Sequence, residues 1–389
     1  MLPPLGYHAR SLFVRKSSTL LTVIGIGATV AVLAGVLALQ QGFSTLFKQN
    51  GREDLAVFLR PGANSEGESA FPRDRAAIIT KELPEVAKDA SGVPLASGEL
   101  YLAVRLRKVD GGETNVPIRG VQQGSFAIHA DRLTIQPGGR RFQPGRDEVI
   151  VGKALADRIR GCQVGQRIQL NTASCEVVGV FELPGPYESE IWGDFDQLSP
   201  VLERPHFSRV VAQLVPGTDV KALSDRLEDD KRVPAKVMTE REYLSGQTQA
   251  LSVTLIGLGV ILAVVMGTAA VFTGINTMMS AVASRTHEIG VLLSIGFRPF
   301  SVFLGFMLEA LLLGLLGGAV GCLLALPLHG VRTGTTNFQT FTEVAFAFRI
   351  TPWVLGPAVI FAVALGLLGG AYPAWRAARL RPTEALRRV

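Results

Sequence analysis

The chain has 389 residues, of which 48% are hydrophobic, and its mean hydropathy is +0.30. It is too apolar for an ordinary soluble protein, and with 19% charged residues it is too polar to lie wholly within a membrane. The formal net charge of +6 is unevenly spread: residues 42–245 carry 27 Lys and Arg against 29 Asp and Glu, so the basic excess belongs to the apolar segments and a nucleic-acid partner is not expected.

Four long runs with few or no charges predict membrane-spanning helices, because about 20 residues at ~1.5 Å each cross a ~30 Å hydrocarbon core. The first run could also be a secretory signal, but its uncharged stretch exceeds a typical core of ~7 to 15 residues, so we expect it to remain. The sequence therefore predicts a membrane protein with four transmembrane α-helices and a mixed α/β extracytoplasmic domain inserted between helices 1 and 2. The predicted spans are 19–41, 246–279, 300–328 and 352–375, and the predicted domain is 42–245.

The cations beside the spans predict the orientation. The segments expected on one side carry ten Lys and Arg together, whereas the segment between the third and fourth spans carries only Arg332 and Arg349. The positive-inside rule then predicts a multi-pass protein of the cell inner (cytoplasmic) membrane with both termini cytoplasmic. The predicted cytoplasmic segments are the N-terminus 1–18, a short helix at 280–299 and the tail 376–389, and the predicted extracytoplasmic loop is 329–351.

Within the extracytoplasmic domain, apolar runs and turn signals alternate. Asp110-Gly-Gly stands between two runs of strand-like composition and predicts a hairpin. The strand, helix, strand rhythm suggests split βαβ units. Predicted strands are 55–59, 100–109, 113–121, 148–151, 167–170, 175–181, 210–215 and 235–238, and predicted helices are 72–82, 153–159 and 220–227.

The three cysteines are Cys162, Cys175 and Cys322. The last falls in a span and is expected to be a small packing residue. Cys162 and Cys175 fall in the oxidising compartment, and a disulfide between them is possible, but sequence separation does not supply the Cα distance that a disulfide needs. No spacing of Cys, His, Asp or Glu predicts a metal site.

An amphipathic segment follows the second span. Ile289, Leu292 and Leu293 recur at helical spacing beside Arg285 and Glu288. Two interpretations fit this pattern: a helix that docks onto a partner protein, and a surface helix that caps the span.

Several stretches resemble the FtsX/MacB type of ABC transporter permease. The segment 276–290 followed by Ser294-Ile-Gly-Phe is similar to the signature of that family, and 372–386, with Pro373 and Pro382, is similar to its closing motif. Segments 164–171, 176–181 and 190–194 look like its extracytoplasmic domain. In the family the signature segment contacts the ATPase subunit, so the resemblance implies an ATPase-coupling role for Arg285, Glu288, Ile289, Gly290, Leu293 and Gly296.

The spans also contain polar and small residues of interest. Glu309 lies about nine residues into the third span, where an acidic group is costly. A structural hydrogen bond to Asn276 or another polar span residue is favoured over proton transfer, because the sequence supplies no relay partner. Glycines at four-residue spacing allow close helix approach, and packing within the chain is favoured over a subunit interface. These glycines are Gly314, Gly317, Gly318, Gly321, Gly366 and Gly370.

No catalytic residues are predicted. His287-Glu288 lacks the second His of a zinc protease motif, and Gly-x-Ser-x-Gly does not occur. Gly-x-x-x-x-Gly-Lys-[Ser/Thr] is also absent, and the sequence departs from family members with a fused ATPase by beginning almost at the first span. We therefore expect no cofactor in this chain and a separate ABC ATPase subunit that binds ATP and Mg²⁺.

The resemblance implies a permease that transmits ATP-driven motion mechanically to the extracytoplasmic domain, with export or extraction of an amphipathic substrate such as a lipid, lipoprotein, peptide or drug. Expected partners are the ATPase, a second permease in a homodimer or heterodimer, the lipid membrane and, in some systems, a periplasmic adaptor. The alternative is an ATPase-driven transmembrane signal transducer that activates an extracytoplasmic hydrolase.

Overall fold

The computed structural model describes residues 16–48, 50–337 and 342–381. Most of the predicted N-terminal segment 1–18 and the end of the tail 376–389 lie outside the described residues. Contacts divide the chain into two compact units. The helical unit is formed by Met1–Gly42, Val253–Val331 and Ala347–Val389, and the sheet domain by Phe43–Ser252 and Arg332–Phe346.

Ten α-helices are formed by the described residues, and four of them are long and apolar enough to cross a membrane. These four, α1, α7, α9 and α10, confirm the predicted number of transmembrane helices. The helices are α1 (Lys16–Lys48), α2 (Arg73–Glu82), α3 (Gln123–Ile128), α4 (Lys153–Ala156), α5 (Phe195–Val201), α6 (Val220–Glu228), α7 (Glu240–Ser284), α8 (Thr286–Ser294), α9 (Pro299–Ala325) and α10 (Pro352–Ala378).

The apolar character of the long helices extends to their exposed side chains. Ile261, Phe272, Leu323 and Ile360 are all exposed, which is the arrangement expected where lipid replaces water as the solvent. Helix α7 has 45 residues, so at ~1.5 Å per residue it is about twice as long as a hydrocarbon core, and it extends beyond both ends of the predicted span 246–279.

The sheet domain is built on one large mixed sheet, which confirms the predicted α/β class. Its strand order is β10-β1-β9-β2-β3-β8-β5-β7-β4, with β6 paired to β7, and only the β3–β8 and β5–β7 pairs are parallel. The strands are β1 (Leu55–Leu59), β2 (Ala96–Arg107), β3 (Glu113–Val121), β4 (Thr134–Ile135), β5 (Glu148–Gly152), β6 (Arg167–Leu170), β7 (Ala173–Glu182), β8 (Ile191–Asp194), β9 (Arg209–Gln213) and β10 (Lys236–Thr239). A separate two-stranded sheet is formed by β11 (Arg332–Asn337) and β12 (Thr342–Ala347).

Alternate residues of the central strands enter two different apolar cores. Val149 and Val151 of β5 belong to the larger core, whereas Ile150 between them belongs to a smaller core around Trp192. This alternation follows from the strand period of two, and it buries both faces of the sheet. The hairpin predicted at Asp110-Gly-Gly is confirmed: β2 pairs with β3, and both glycines adopt positive φ angles in the turn.

Other predictions were less accurate. The helix predicted at 153–159 ends at Ala156. The segment 329–351, predicted as a loop, contains the β11–β12 hairpin, and most of this hairpin belongs to the sheet domain. The reason is tertiary contact, because the Phe346 ring packs against Phe43 with centroids 5.4 Å apart and the Ala345 N–H donates to Ser189 Oγ at 3.2 Å.

Candidate functional site

The predicted coupling segment lies at a corner between two helices of the helical unit. Helix α7 ends at Ser284 and α8 begins at Thr286, with Arg285 between them in a non-helical conformation. The Arg285 C=O still accepts a hydrogen bond from the Ile289 N–H at 2.9 Å, so α8 begins directly after the corner. We refer to residues 284–300 as the α7–α8 corner.

The side chain of Arg285 points toward α9. Its Nη1 lies 3.6 Å from Oε2 of Glu309, and the two side chains are only 15% and 5% exposed. An ion pair offsets part of the cost of an acidic group at this depth. Arg285 is therefore an ionic partner of Glu309. Asn276 is exposed on α7, and the hydrogen bond from Glu309 to Asn276 or another polar span residue stays a prediction.

The predicted apolar strip of the corner faces the chain itself. Ile289 is 3% exposed and lies in one cluster with Met278 and Phe306, Leu293 packs against that cluster, and Gly290 is buried. The sequence predicted that this strip docks onto an ATPase. In the structure the strip packs on α7 and α9 of the same chain. The ATPase-coupling role of the segment stays a prediction.

The surface left exposed at the corner differs from the predicted one. Glu288 and Gly296 are exposed, as are Ile295 at 71% and Phe300 at 69%. Ile295 and Phe300 were missed by sequence reasoning, although large apolar side chains next to a predicted docking helix were the signal that could have found them.

The six predicted glycines all lie at helix contacts within the helical unit. Added Cβ atoms on Gly370 and Gly366 would lie 2.2 Å from Ala310 Cβ and 2.6 Å from Ala310 O, so α10 approaches α9 closely there. Added Cβ atoms on Gly317 and Gly321 would lie 2.6 Å from side chains of α1. The remaining two, Gly314 and Gly318, face Ala362 of α10.

A buried ionic cluster that sequence reasoning missed lies in the sheet domain. Arg119 of β3 donates to Glu190 at 2.7 Å through both Nε and Nη2, to Glu66 at 2.7 Å and to Glu99 at 3.0 Å. Arg209 of β9 donates to Glu99 at 2.6 and 2.8 Å and to Glu66 at 2.8 Å. All five side chains are buried. The sequence signal for this cluster was the charged residue Arg119 in the middle of an apolar strand, because a buried charge needs partners.

The cluster sets the protonation of its members. Burial alone would raise the pKa of Glu99, but Arg209 and Arg119 outweigh it and hold this pKa at about 2. Burial raises the pKa of Glu190 despite its bonds to Arg119. Burial also opposes the charge on both guanidinium groups, yet the carboxylates raise the pKa of Arg119 and Arg209 well above the ordinary value.

The same region fixes the first turn of α7 in the sheet domain. The Tyr187 hydroxyl donates to Oε1 of Glu240 at 2.5 Å, and the Arg52 N–H donates to the other oxygen, Oε2, at 2.9 Å. Tyr187 also lies beside the cluster, with its ring centroid 5.5 Å from Arg119 Cζ. Glu240, the first residue of α7, is thus bonded to two other segments of the domain.

The two domain cysteines are free, so the possible disulfide is not formed. Cys175 of β7 stands opposite Ile168 of β6, not opposite Cys162, and both thiols are buried in the larger core. Burial raises the pKa of Cys162 to about 12 and that of Cys175 to about 11, so neither is a reactive thiolate near neutral pH.

Comparison with known families identifies the class of protein. A family model described as MacB-like periplasmic core domain matches residues 19–230, and one described as FtsX-like permease C-terminal matches residues 251–382. The chain belongs to the FtsX/MacB-type family of ABC transporter permeases, and most of its sheet domain lies in the part of the chain that matches the MacB-like periplasmic core domain.

Several relatives are similar along nearly the whole chain. The macrolide export ATP-binding/permease protein MacB of Sodalis glossinidius is 27% identical over 95% of this chain and 58% of that protein. The uncharacterized ABC transporter permease YvrN of Bacillus subtilis is 25% identical over 100% of both chains. The pyoverdine export ATP-binding/permease protein PvdT of Pseudomonas syringae pv. tomato is 26% identical over 97% of this chain and 58% of that protein. The chain therefore spans about three fifths of the MacB and PvdT relatives.

Similar solved structures cover about half of the chain. They include the periplasmic region of MacB from Actinobacillus actinomycetemcomitans, with a TM-score of 0.37 and 9% identity over 50% of this chain and 92% of that one. They also include the extracellular domain of the transporter YknZ from Gram-positive bacteria, with a TM-score of 0.36 and 18% identity over 48% of this chain and 99% of that one.

Proposed function

We propose that this permease couples ATP hydrolysis by a separate ABC ATPase subunit to a conformational change of the sheet domain, and thereby exports or extracts an amphipathic substrate. The α7–α8 corner is the observation that carries this proposal. It exposes Glu288, Ile295 and Phe300, within the part of the chain that matches the FtsX-like permease model. Exposed apolar side chains next to a charge are typical of a protein contact surface.

Helix α7 supplies the connection along the chain. It runs without interruption from Glu240, which is bonded to Tyr187 and Arg52 in the sheet domain, to Ser284 at the corner. A continuous helix transmits a displacement of one end along its axis, because every turn is hydrogen-bonded to the next. This supports mechanical transmission and needs no pore through the membrane.

The relatives support the class of reaction. MacB and PvdT are named for macrolide and pyoverdine export and for ATP binding. For this chain we propose the shared element of those names, ATP-dependent export, with ATP and Mg²⁺ held by the partner ATPase and with two permease chains per complex. A periplasmic adaptor fits the same arrangement.

Coupling is tested with two surface variants of the full chain, Glu288→Lys and Ile295→Asp. Both residues are exposed, so the helical unit should still fold, and each change places an unfavourable group at the proposed contact. We expect each to reduce co-purification of the ATPase at least about tenfold and to abolish stimulated ATP turnover in nanodiscs. Ile289→Asp is unsuitable, because it would bury a carboxylate inside the helical unit.

The matched control is Glu82→Lys, the same charge reversal at an exposed position of α2 in the sheet domain. It should retain the ATPase. If both corner variants retained the ATPase subunit and its stimulated ATP turnover, the proposed coupling mechanism would be wrong. A signal transducer would need the same contact, so movement of an added amphiphile by the reconstituted complex distinguishes it from a transporter.

A further inference from the structure

An open groove of about 830 Å³ lies in the sheet domain, bordered by strands β2 and β6. Residues 102–107 of β2 and 167–169 of β6 line it consecutively. Successive side chains of a strand point to opposite faces, so consecutive lining residues mean that the groove follows the edges of both strands and not one face of the sheet. Leu202, Gly161 and Asn171 complete part of its wall.

One edge of β2 is open along this groove. Strand β2 pairs with β9 only over 96–99, whereas its pairing with β3 continues to Arg107. The Tyr101 N–H donates to Ser208 Oγ at 3.0 Å at one end of the open stretch, and the Arg107 C=O accepts from the Arg160 N–H at 3.0 Å at the other end.

The backbone groups between these ends point into the groove. Ala103 and Arg105 follow the same alternation as Tyr101 and Arg107, so their N–H and C=O groups face away from β3. Within the part of the chain that the structure describes, neither residue has a strand partner on that side. Two donors and two acceptors of β2 are thus left at the groove.

Strand β6 presents a second open edge. Of the described strands, it pairs with β7 alone. The Val177 N–H donates to the Gln166 C=O at 2.9 Å. The backbone N–H and C=O groups of the even-numbered residues of this segment therefore face β7. Arg167 and Gln169 therefore direct their backbone groups away from β7, toward the groove.

The groove is basic although the domain is not. Four exposed arginines line it, and within the described residues Glu113 is the one carboxylate in its lining, 3.7 Å from Arg105 and 3.9 Å from Arg107. Over residues 42–245 acidic side chains outnumber basic ones, 29 to 27. The four arginines are Arg105, Arg107, Arg160 and Arg167.

The inward side of the groove is apolar. Leu102 and Val104 alternate with the arginines of β2 and are only partly buried against the larger core, and Ile168 of β6 belongs to that core. A chain lying between the two edges would therefore meet apolar side chains on one face and guanidinium groups on the other.

We propose that this groove binds an extended acidic segment of a partner protein, which adds to the sheet as an extra β-strand with alternating apolar and acidic side chains. Strand addition uses the free backbone groups of an edge for affinity and the alternating side chains for specificity. The stretch of β2 that lines the groove, residues 102–107, spans six residues at ~3.3 Å each, about 20 Å, which suits a segment of six or seven residues.

The test uses the full chain in nanodiscs and a fluorescein-labelled heptapeptide that alternates valine and glutamate. We expect saturable binding that weakens as salt is added, and a loss of about tenfold or more in affinity in the double variant Arg105→Ser, Arg167→Ser. Ala103→Pro removes an N–H that has no strand partner, because the backbone groups of Ala103 face away from β3, and it should also weaken binding. Arg232→Ser, an exposed arginine outside the groove, should leave affinity unchanged.

Two results would overturn the assignment. One is equal binding of a heptapeptide with lysine in place of glutamate, or unchanged affinity in the double variant relative to Arg232→Ser. The other is no peptide binding by the wild-type chain together with self-association of the double variant, which would make the arginines guards against edge-to-edge aggregation. Neither result depends on an ATPase, so failure here is separable from failure of the coupling proposal.

Discussion

Arg119 and Arg209 are stabilised by partners that are distant in sequence. An unpaired buried guanidinium costs several kcal/mol, but here three carboxylates accept its hydrogen bonds. Arg209 and Glu66 are separated by 143 positions, so no local pattern could have paired them. The sequence could have flagged a charge inside an apolar strand, but the identity of its partner depends on the strand order.

His129 is a titratable side chain of the same region. It is buried, its ring lies 6.1 Å from that of Trp192, and in the described structure its Nε2 has no hydrogen-bond partner. Burial lowers its pKa below the ordinary value near 6.5. The charged groups that act on it are Glu240 and Glu99, which favour protonation, and Arg209 and Arg52, which oppose it.

We predict that the sheet domain loses stability as pH falls below about 6.5, and that His129→Phe reduces this loss. The unfolded chain takes up a proton on His129 first, so stability is fully present above about 6.5 and is lost toward the lowered folded pKa, at up to about 1.4 kcal/mol per pH unit. Glu190 acts in the opposite direction, because its raised pKa lets the folded state take up a proton first.

The measurement is hydrogen exchange of peptides from β3 and β8 in the full chain between pH 7.5 and 5.5, corrected for intrinsic exchange rates. The wild type should lose protection on acidification and His129→Phe should lose less. An equal loss in both proteins would assign the acid sensitivity to carboxylates and not to His129.

At the scale of elements, periodicity identified the apolar face of α8 but not what covers it. Ile289 and Leu293 were correctly recognised as a helical strip, yet the strip packs on the chain's own helices. A hydrophobic pattern indicates that one face of a helix is buried, but it does not indicate which surface covers that face. The Gly-x-x-x-Gly spacing was more informative, because a small residue is required wherever two backbones approach closely, within one chain or between two.

We predict that Gly370→Ala destabilises the helical unit whereas Gly356→Ala on the same helix does not. An added Cβ at Gly370 would overlap Ala310 Cβ at 2.2 Å, so α9 and α10 must separate, at a cost of about 1–3 kcal/mol. At Gly356 nothing lies within 4 Å of the added atom, and alanine favours the helix there.

Thermal unfolding of both variants in the same detergent measures the difference. A fall of several degrees in Tm for Gly370→Ala, with no fall for Gly356→Ala, is expected. Equal Tm values would mean that the α9–α10 contact is loose enough to accept a methyl group.

At the scale of the molecule, the composition of the sequence distinguished the two units that the folded chain forms. Four apolar runs and one region of ordinary composition predicted the helical unit and the sheet domain, because hydrocarbon and water select different residues. The boundaries were less predictable: the sheet domain extends to Ser252 and includes Arg332–Phe346 from between the last two spans. Short polar segments such as this hairpin become ordered only through contacts with distant residues, as between Phe346 and Phe43.

The orientation of the whole chain is the remaining prediction, and the proposed coupling depends on it. Positive charges concentrate in the segments that flank the spans on one side, so we expect Asp110 outside the cytoplasm and both Phe297 and Val389 inside it. Asp110 lies in the exposed β2–β3 turn, where a fused reporter should leave the sheet intact, whereas Val389 lies outside the described residues. Fusions at the three sites to alkaline phosphatase, active only outside, and to green fluorescent protein, fluorescent in the cytoplasm, give complementary signals. Phosphatase activity at Asp110 with fluorescence after Phe297 and Val389 is the expected pattern. Fluorescence at Asp110 would place the sheet domain on the ATP-containing side and the α7–α8 corner beyond the reach of any cytoplasmic ATPase, so the coupling mechanism would fail with it.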